Sequence, residues 1–253
     1  MLSNINTHER DAHITFDEEP HIYTIDGNSD NTSVTTFVHS HFSKFDSDKI
    51  ITKMMSSSKW KKNKYYGKTR QQIKDEWKQN GQEAARAGTK LHHDIECFYN
   101  NIPHENTSIE YNHFIEFTET YPKLIPYRTE WMIWHEDLQL AGSIDMVFVN
   151  SDRKTYEIYD WKRSKEIKKT TPWITFSKTS CIEHIPDTNY WHYCLQLNVY
   201  KAILEAKYGL TIAGMYLVRL YPTENSFQRL KVVDLQEEVQ ELFNLREQQL
   251  RYG

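Results

Sequence analysis

Three strand-like segments follow one another near the middle of the chain, and they restrict its fold more than any other feature. Residues 128–135 (RTEWMIWH) alternate in polarity, and the apolar segments 138–149 and 155–162 come directly after them. A period of two is typical of β-strands, because successive side chains point to opposite faces of a sheet. The polar residues 150–154 predict a hairpin turn between the second and third segments. We therefore expect a β-sheet at the centre of the molecule.

Helical segments surround these strands. Apolar residues recur at helical spacing in residues 89–100 and again in 189–208, and residues 213–220 predict a further strand. The resulting order, α-β-β-β-α-β, indicates an α/β fold with a central mixed sheet flanked by helices. The remaining predicted elements are two short strands in 12–25, one or two helices in 33–55, a helix in 69–87 with a further helical stretch beginning at Gly88, and helices in 111–121 and 235–250.

The length of 253 residues fits one large domain. We expect a single domain over residues 1–253. It would comprise an N-terminal hairpin and helical part (1–83), a core (84–221) and a C-terminal helix (222–253).

Composition excludes several classes of protein. Hydrophobic residues make up 38% of the chain and aromatic residues 13%, which argues against disorder. No apolar run is long enough for a membrane span, and the first residues lack the apolar region of a secretory signal. We therefore expect no membrane association and an intracellular protein, in the cytoplasm, the nucleus or a viral factory. The three scattered cysteines fit reduced thiols rather than a disulfide framework.

The total charge of the chain argues against nucleic-acid binding, whereas its local distribution is compatible with it. The net charge of −4 is not typical of a nucleic-acid-binding protein, but residues 59–78 and 162–169 are rich in Lys and Arg. Local basic patches can bind phosphates even when the total charge is negative. The segment 60–66 (WKKNKYY) interleaves rings and lysines, which suits single-stranded nucleic acid. A plain hydrophobic cluster with solvated lysines is an equally good interpretation.

Two carboxylates and a lysine form the pattern with the clearest chemistry. Asp160 and Lys162 end the third strand two residues apart, so their side chains share one face of the sheet. Asp145 interrupts the apolar run of the second strand, where a carboxylate is costly unless it is paired or bound to metal. Neighbouring strands can bring the two acids together as oxygen ligands for Mg²⁺ or Mn²⁺. The alternative is a buried Asp–Lys ion pair.

Further polar side chains lie at positions where they could join this group. His92 and Glu96 are one turn apart on the predicted helix before the strands, and Gln196 and Tyr200 are one turn apart on the helix after them. Glu130 lies among tryptophans in the first strand. His92 and Glu130 are candidate metal ligands, whereas Glu96, Gln196 and Tyr200 are candidate catalytic residues. Helical positions of this kind are also common on exposed faces without any function.

Taken in order, these residues resemble the RecB-like branch of the PD-(D/E)xK nucleases, which includes mitochondrial, CRISPR-associated and viral exonucleases. The matching segments are GTKLHHDIE at 88–96, TE at 129–130 followed by AGSID at 141–145, YDWK at 159–162 and QLNVY at 196–200. The resemblance covers about residues 84–221. Ile144 stands where the family name has a proline, as is usual in this branch.

The resemblance implies a fold, an activity and roles for individual residues. The fold would be the restriction-endonuclease-like core, and the activity would be hydrolysis of DNA with Mg²⁺ or Mn²⁺, by an exonuclease acting on linear or single-stranded ends in repair or recombination. Lys162 would be the catalytic lysine, and Gln196 and Tyr200 would support the site. The metal ligands would be His92, Asp145, Asp160 and the backbone carbonyl of Trp161.

Other partners and cofactors follow from the same comparison. Replication or recombination proteins are possible partners. The four cysteines that hold an iron–sulfur cluster in many CRISPR-associated relatives are absent, so we expect no iron–sulfur cluster.

Two other functions fit the same residues. One is a non-catalytic nucleic-acid-binding module that retained the nuclease fold, and the other is a metal-dependent hydrolase of nucleotides or RNA. The intact set of two acids and a lysine favours the nuclease.

Overall fold

The computed structural model describes residues 1–252, which form an α/β protein with a mixed six-stranded sheet. Seven α-helices and eight strands are present in this part of the chain. The helices are α1 (Leu2–Ile5), α2 (Val34–Ser40), α3 (Ser47–Met55), α4 (Arg70–Tyr99), α5 (Ile109–Thr120), α6 (Asn189–Lys207) and α7 (Gln236–Tyr252). The strands are β1 (Ile14–Asp17), β2 (Ile22–Ile25), β3 (Thr32–Ser33), β4 (Ile125–His135), β5 (Leu140–Val149), β6 (Tyr156–Lys162), β7 (Ile212–Arg219) and β8 (Gln228–Lys231).

The sheet runs in the order β3-β5-β6-β7-β8, and β4 pairs with the opposite edge of β5. The β4–β5 and β5–β6 pairs are antiparallel, as the predicted hairpin requires, whereas β6 and β7 are parallel. The helix α6 connects β6 to β7, because a parallel connection needs a long crossover. β1 and β2 form a separate two-stranded hairpin. The predicted α/β class and the α-β-β-β-α-β order are confirmed.

Helices cover both faces of the sheet. On one face, α2 and α6 cover the core residues Ile144, Val147 and Ile158, and α7 packs on α6. On the other face, α5 and the last turns of α4 pack against Met146 and Phe148. Neighbouring residues of β5 therefore belong to different cores, which explains why this strand is apolar almost throughout.

By internal contacts the chain divides into two compact units. One unit comprises Met1–Ser43 and the chain from Leu91 onward, and the other comprises Lys44–Lys90. The second unit has a small core of its own around Ile51, Tyr65 and Ile73. The Trp77 indole N–H donates to the Tyr65 hydroxyl at 2.8 Å. The segment 60–66 thus contributes Tyr65 to a hydrophobic cluster, as one of the two interpretations of its sequence expected.

Two expectations about the elements are wrong. The helix predicted to end before Gly88 continues as a single helix, α4, through Tyr99. A glycine costs a helix only about 1 kcal/mol, and the alanines before it are strong helix formers. The region 222–253 holds the edge strand β8 as well as a helix. Within the described chain, no helix combines the length and apolar character that crossing a membrane would require.

Candidate active site

The site is built where β5 and β6 separate. Their backbone pairing extends from Val149↔Tyr156 to Met146↔Tyr159 and is not continued beyond that point. Beyond that point the Asp145 side chain connects the two strands, because its Oδ2 atom accepts a hydrogen bond from the backbone N–H of Trp161 at 2.8 Å. The Asp145 side chain is only 12% exposed. The carboxylate that interrupts the apolar run of β5 therefore lies between the two strands and close to the end of β6.

Asp160 and Lys162 lie side by side at the end of β6. Lys162 Nζ is 2.7 Å from Asp160 Oδ2, and the Asp160 side chain is 4% exposed. The same Oδ2 atom makes no hydrogen bond of good geometry. The Tyr193 ring lies 4.6 Å from Lys162 Nζ, at a distance typical of a cation–π contact. The buried ion pair that was the alternative interpretation of these residues is thus present, and it lies directly beside Asp145.

Burial and charge act in opposite directions on this pair. Burial raises the pKa of the Asp160 carboxyl, and the neighbouring Asp145 adds to the effect, while Lys162 opposes it. Burial alone would lower the pKa of Lys162, but the Asp160 and Asp145 carboxylates outweigh it and raise the pKa. Lys162 is therefore an ammonium group at neutral pH. It can donate hydrogen bonds to an anion but cannot accept a proton.

His92 reaches the strands from α4. Its Nε2 atom lies 2.8 Å from the Trp161 carbonyl oxygen, so this nitrogen carries the donated proton. The other ring nitrogen, Nδ1, lies 3.5 Å from Asp145 Oδ2 and 3.8 Å from Glu130 Oε1. Ligand atoms of these three side chains all lie within 4.8 Å of one another. Histidines that bind metals commonly donate their second ring N–H to a backbone carbonyl, as His92 does.

Two carboxylates make the imidazole of His92 basic. Burial disfavours its charged form, but Asp145 and Glu130 outweigh burial and raise the pKa of His92 to about 9. The pKa of the Asp145 carboxyl is also raised, because burial and the charge of Glu130 outweigh the opposing effect of His92. The negative charges of these carboxylates favour protonation of the groups beside them. A metal cation at the same place would be stabilised for the same reason.

Glu130 is held in a strained backbone conformation. Its φ angle is 41°, in the left-handed region that residues with a side chain rarely adopt. The ladder pairs on either side of it, Thr129↔Met146 and Trp131↔Ile144, skip both Glu130 and Asp145. The Ser143 hydroxyl donates to Glu130 Oε2 at 3.1 Å. The register of the two strands thus places Glu130 opposite Asp145, at a point where the ladder is interrupted.

Glu96 lies one turn beyond His92 on α4 and is half-buried. Burial raises the pKa of its carboxyl, and the negative charge of Glu130 adds to this effect. The structure therefore brings Glu96 to the Glu130 side of the cluster.

Gln196 and Tyr200 form a pair on α6. The Gln196 side-chain amide donates to the Tyr200 hydroxyl at 3.1 Å. A methyl group added at Gly142 would lie 2.7 Å from the Tyr200 ring, so the tyrosine packs directly on the β5 backbone. The pair thus connects α6 to the strand that carries Asp145.

Three residues at the site were not foreseen. Tyr193 lies at positions i−3 and i−7 relative to Gln196 and Tyr200, so helical spacing on α6 could have indicated it. Ser143 belongs to the AGSID segment but carried no signal of its own. Tyr23 lies near Glu130 and the Ser143 backbone, and burial raises its pKa to about 12. Its position depends on where the β1–β2 hairpin packs, which no local pattern encodes.

Comparisons with known proteins leave the family of this chain open. No protein-family model matches the sequence, and no curated protein matches it. Among solved structures, the crystal structure of SSO0001 is similar over 57% of this chain and 59% of that protein, with 16% identity and a TM-score of 0.29. The similarity covers less than two thirds of that protein and carries no functional assignment.

Proposed function

We propose that this protein is a divalent-metal-dependent DNA nuclease, acting as an exonuclease on linear or single-stranded ends. The observation that carries the proposal is the convergence of His92, Glu130 and Asp145 within 4.8 Å, beside the buried Asp160–Lys162 pair. A buried ion pair by itself does not require three further ionisable groups beside it. A site that binds a cation and a phosphodiester needs all of them.

The donor set fits a hard or borderline divalent cation. One imidazole nitrogen and several carboxylate oxygens suit Mn²⁺ and Mg²⁺. Iron–sulfur clusters and many zinc sites use thiolate ligands instead. His92 Nδ1, Asp145 and Glu130 are the ligands that the cluster offers, and the Asp160 carboxylate lies beside them, paired with Lys162 through its Oδ2 atom. The Trp161 carbonyl lies 2.8 Å from His92 Nε2 and is part of the same group of atoms.

The residues of the site would have different roles in the reaction. A divalent cation bound here would activate water and neutralise charge on a phosphodiester. Lys162, as an ammonium group, would donate hydrogen bonds to a phosphoryl oxygen as negative charge develops there. Asp160 fixes the position of that ammonium group at 2.7 Å. Tyr200 packs α6 against Gly142 of β5, and Gln196 holds the Tyr200 hydroxyl, so the pair supports the strand that carries Asp145.

The arrangement of the sheet supports a restriction-endonuclease-like core. Its α4, β4, β5, β6, α6 and β7 elements follow the order expected for that core, and the acids and the lysine come from β5 and β6. The loop after Lys162 contributes Lys165, Lys168 and Lys169 together with Trp173, which is 83% exposed. Cations and an exposed ring next to a phosphodiester site suit single-stranded DNA, where bases stack and phosphates bind cations.

The test is digestion of end-labelled linear duplex, circular duplex and single-stranded DNA with Mg²⁺, with Mn²⁺ or with a chelator. We expect metal-dependent loss of linear and single-stranded DNA and survival of circular DNA, with no cleavage by Asp160→Asn. An oligoribonucleotide of the same sequence tests the alternative of an RNA hydrolase. Tight DNA binding without cleavage in either metal would refute the nuclease and leave the binding module.

A further inference from the structure

A polar cavity of about 420 Å³ lies beside α2 and α7, away from the acids of the candidate active site. Its lining includes the hydroxyl residues Thr32, Thr36 and Ser40 and the cations Lys178 and Arg246. Thr32 pairs with Leu140 at the first residue of β5. Asp145 lies five residues further along the same strand, roughly 16 Å away at ~3.3 Å per residue. The cavity is therefore a second site, distinct from the metal cluster.

The charge lining this cavity is entirely positive. Lys178 and Arg246 are the cations, and no Asp or Glu is among the described residues that line it. The Arg246 guanidinium donates to the Leu138 carbonyl at 3.2 Å and to the Thr32 hydroxyl at 3.0 Å. Burial lowers its pKa with no carboxylate to oppose the effect. A half-buried guanidinium bound only to neutral oxygens retains unneutralised charge, which attracts an anion.

A buried histidine completes the wall. His41 is 6% exposed, and its Nδ1 atom lies 3.0 Å from the Thr179 hydroxyl. Its Nε2 atom is buried and has no hydrogen-bond partner. Burial, with help from Lys178, lowers the pKa of His41 to about 4, so the ring is neutral at neutral pH. A buried polar atom without a partner is unusual in folded proteins, and a water, an ion or a ligand can satisfy it.

We infer that this cavity binds a phosphate group, held by Lys178 and Arg246 and by the hydroxyls of Thr32 and Thr36. Two cations and two neutral donors around a small volume match the charge and the acceptor oxygens of a phosphate. The phosphate can be a free anion or a diester in a polynucleotide backbone. The inference does not depend on the nuclease proposal, because it uses none of the metal-site residues.

The test is a titration of the full-length ¹⁵N-labelled protein with inorganic phosphate at constant ionic strength, followed by NMR. A chelator is present throughout, so phosphate cannot bind through a metal ion at the other site. We expect saturable shifts at the backbone amides of Thr179 and Arg246 and at the His41 ring. Lys178→Gln should weaken the affinity about fivefold, which corresponds to one lost charged contact. Lys123→Gln, at an exposed lysine beyond the end of α5, is the matched control and should leave the affinity unchanged.

A second titration uses a short oligodeoxynucleotide without terminal phosphates. Shifts of the same signals, again weakened by Lys178→Gln, would assign the site to backbone diesters. If only inorganic phosphate moves them, the site takes the free anion. The inference is overturned if phosphate produces no saturable shift at these residues, or if the two lysine variants weaken binding equally. Neither result depends on whether the protein cleaves DNA.

Discussion

The Asp145 carboxylate accepts a hydrogen bond from the backbone N–H of Trp161 at 2.8 Å, and this contact connects β5 to β6 beyond the end of their backbone ladder. It replaces a rung of the ladder that ends at Met146↔Tyr159. One oxygen of Asp145 is thereby fixed next to the strand that carries Asp160 and Lys162. Because the carboxylate is part of the backbone pairing, its position follows from the fold and requires no rearrangement when a ligand binds.

Removing the Lys162 ammonium group should abolish catalysis. We expect Lys162→Ala to reduce kcat by at least about a hundredfold, since it removes a charged donor aimed at the reacting phosphate. The chain contains a matched control, because Asp152 and Lys154 have the same spacing as Asp160 and Lys162 but are exposed in the turn between β5 and β6. Lys154→Ala should retain near-normal kcat in a steady-state assay with labelled DNA. Equal losses in the two variants would contradict the assigned role of Lys162.

The basicity of His92 predicts how stability and metal binding depend on pH. Its pKa is raised to about 9 in the metal-free fold, above the usual value near 6.5. The folded state therefore binds the proton more tightly than the unfolded state. This contribution to stability is complete below pH ~6.5 and is lost as the pH rises through ~9.

Urea unfolding in a chelator between pH 6 and 9 measures this effect. The wild-type protein should lose on the order of 2 kcal/mol more than His92→Gln over this range. His93→Gln, at the exposed neighbouring histidine, is the control and should behave like the wild type. Metal binding must displace the same proton, so Mn²⁺ affinity should rise with pH up to about 9. Identical pH profiles for wild type and His92→Gln would contradict this account.

The close packing of Tyr200 on Gly142 predicts a large effect from one methyl group. A Cβ at position 142 would lie 2.7 Å from the Tyr200 ring, so the ring or the strand must move. We expect Gly142→Ala to destabilise the fold by about 1–3 kcal/mol and to reduce activity by displacing the Gln196–Tyr200 pair. Gly81→Ala is the control, since nothing lies within 4 Å of that helical position. It should stabilise the protein by about 0.5–1 kcal/mol in thermal unfolding.

The strands and their shared faces could be predicted from the sequence because alternation is a local property. The argument that Asp160 and Lys162 share a face is confirmed by their 2.7 Å separation. The contact of His92 with Asp145 depends on the packing of α4 across the sheet, so no local pattern contains its distance. The strand β8 was missed because its sequence, QRLK, is short, polar and half-exposed, as edge strands commonly are.

The strain at Glu130 was equally hidden, because sequence spacing gives no sign of a positive φ within a strand. It leads to a prediction that separates strain from chemistry. Both Glu130→Ala and Glu130→Gly remove the carboxylate, so both should weaken Mn²⁺ binding by about tenfold or more. Only the glycine variant relieves the backbone at φ 41°.

We therefore expect Glu130→Gly to be more stable than Glu130→Ala by about 1 kcal/mol, because a left-handed conformation costs an alanine about 1–2 kcal/mol. The glycine loses part of this advantage through the greater freedom of its unfolded chain. Urea unfolding of the metal-free variants measures the difference, and calorimetric titration with Mn²⁺ measures the binding. If the alanine variant is as stable as the glycine variant, the backbone at position 130 is not strained. If both bind Mn²⁺ as tightly as the wild type, Glu130 is not a ligand, and the cation must be held by His92, Asp145 and Asp160 without it.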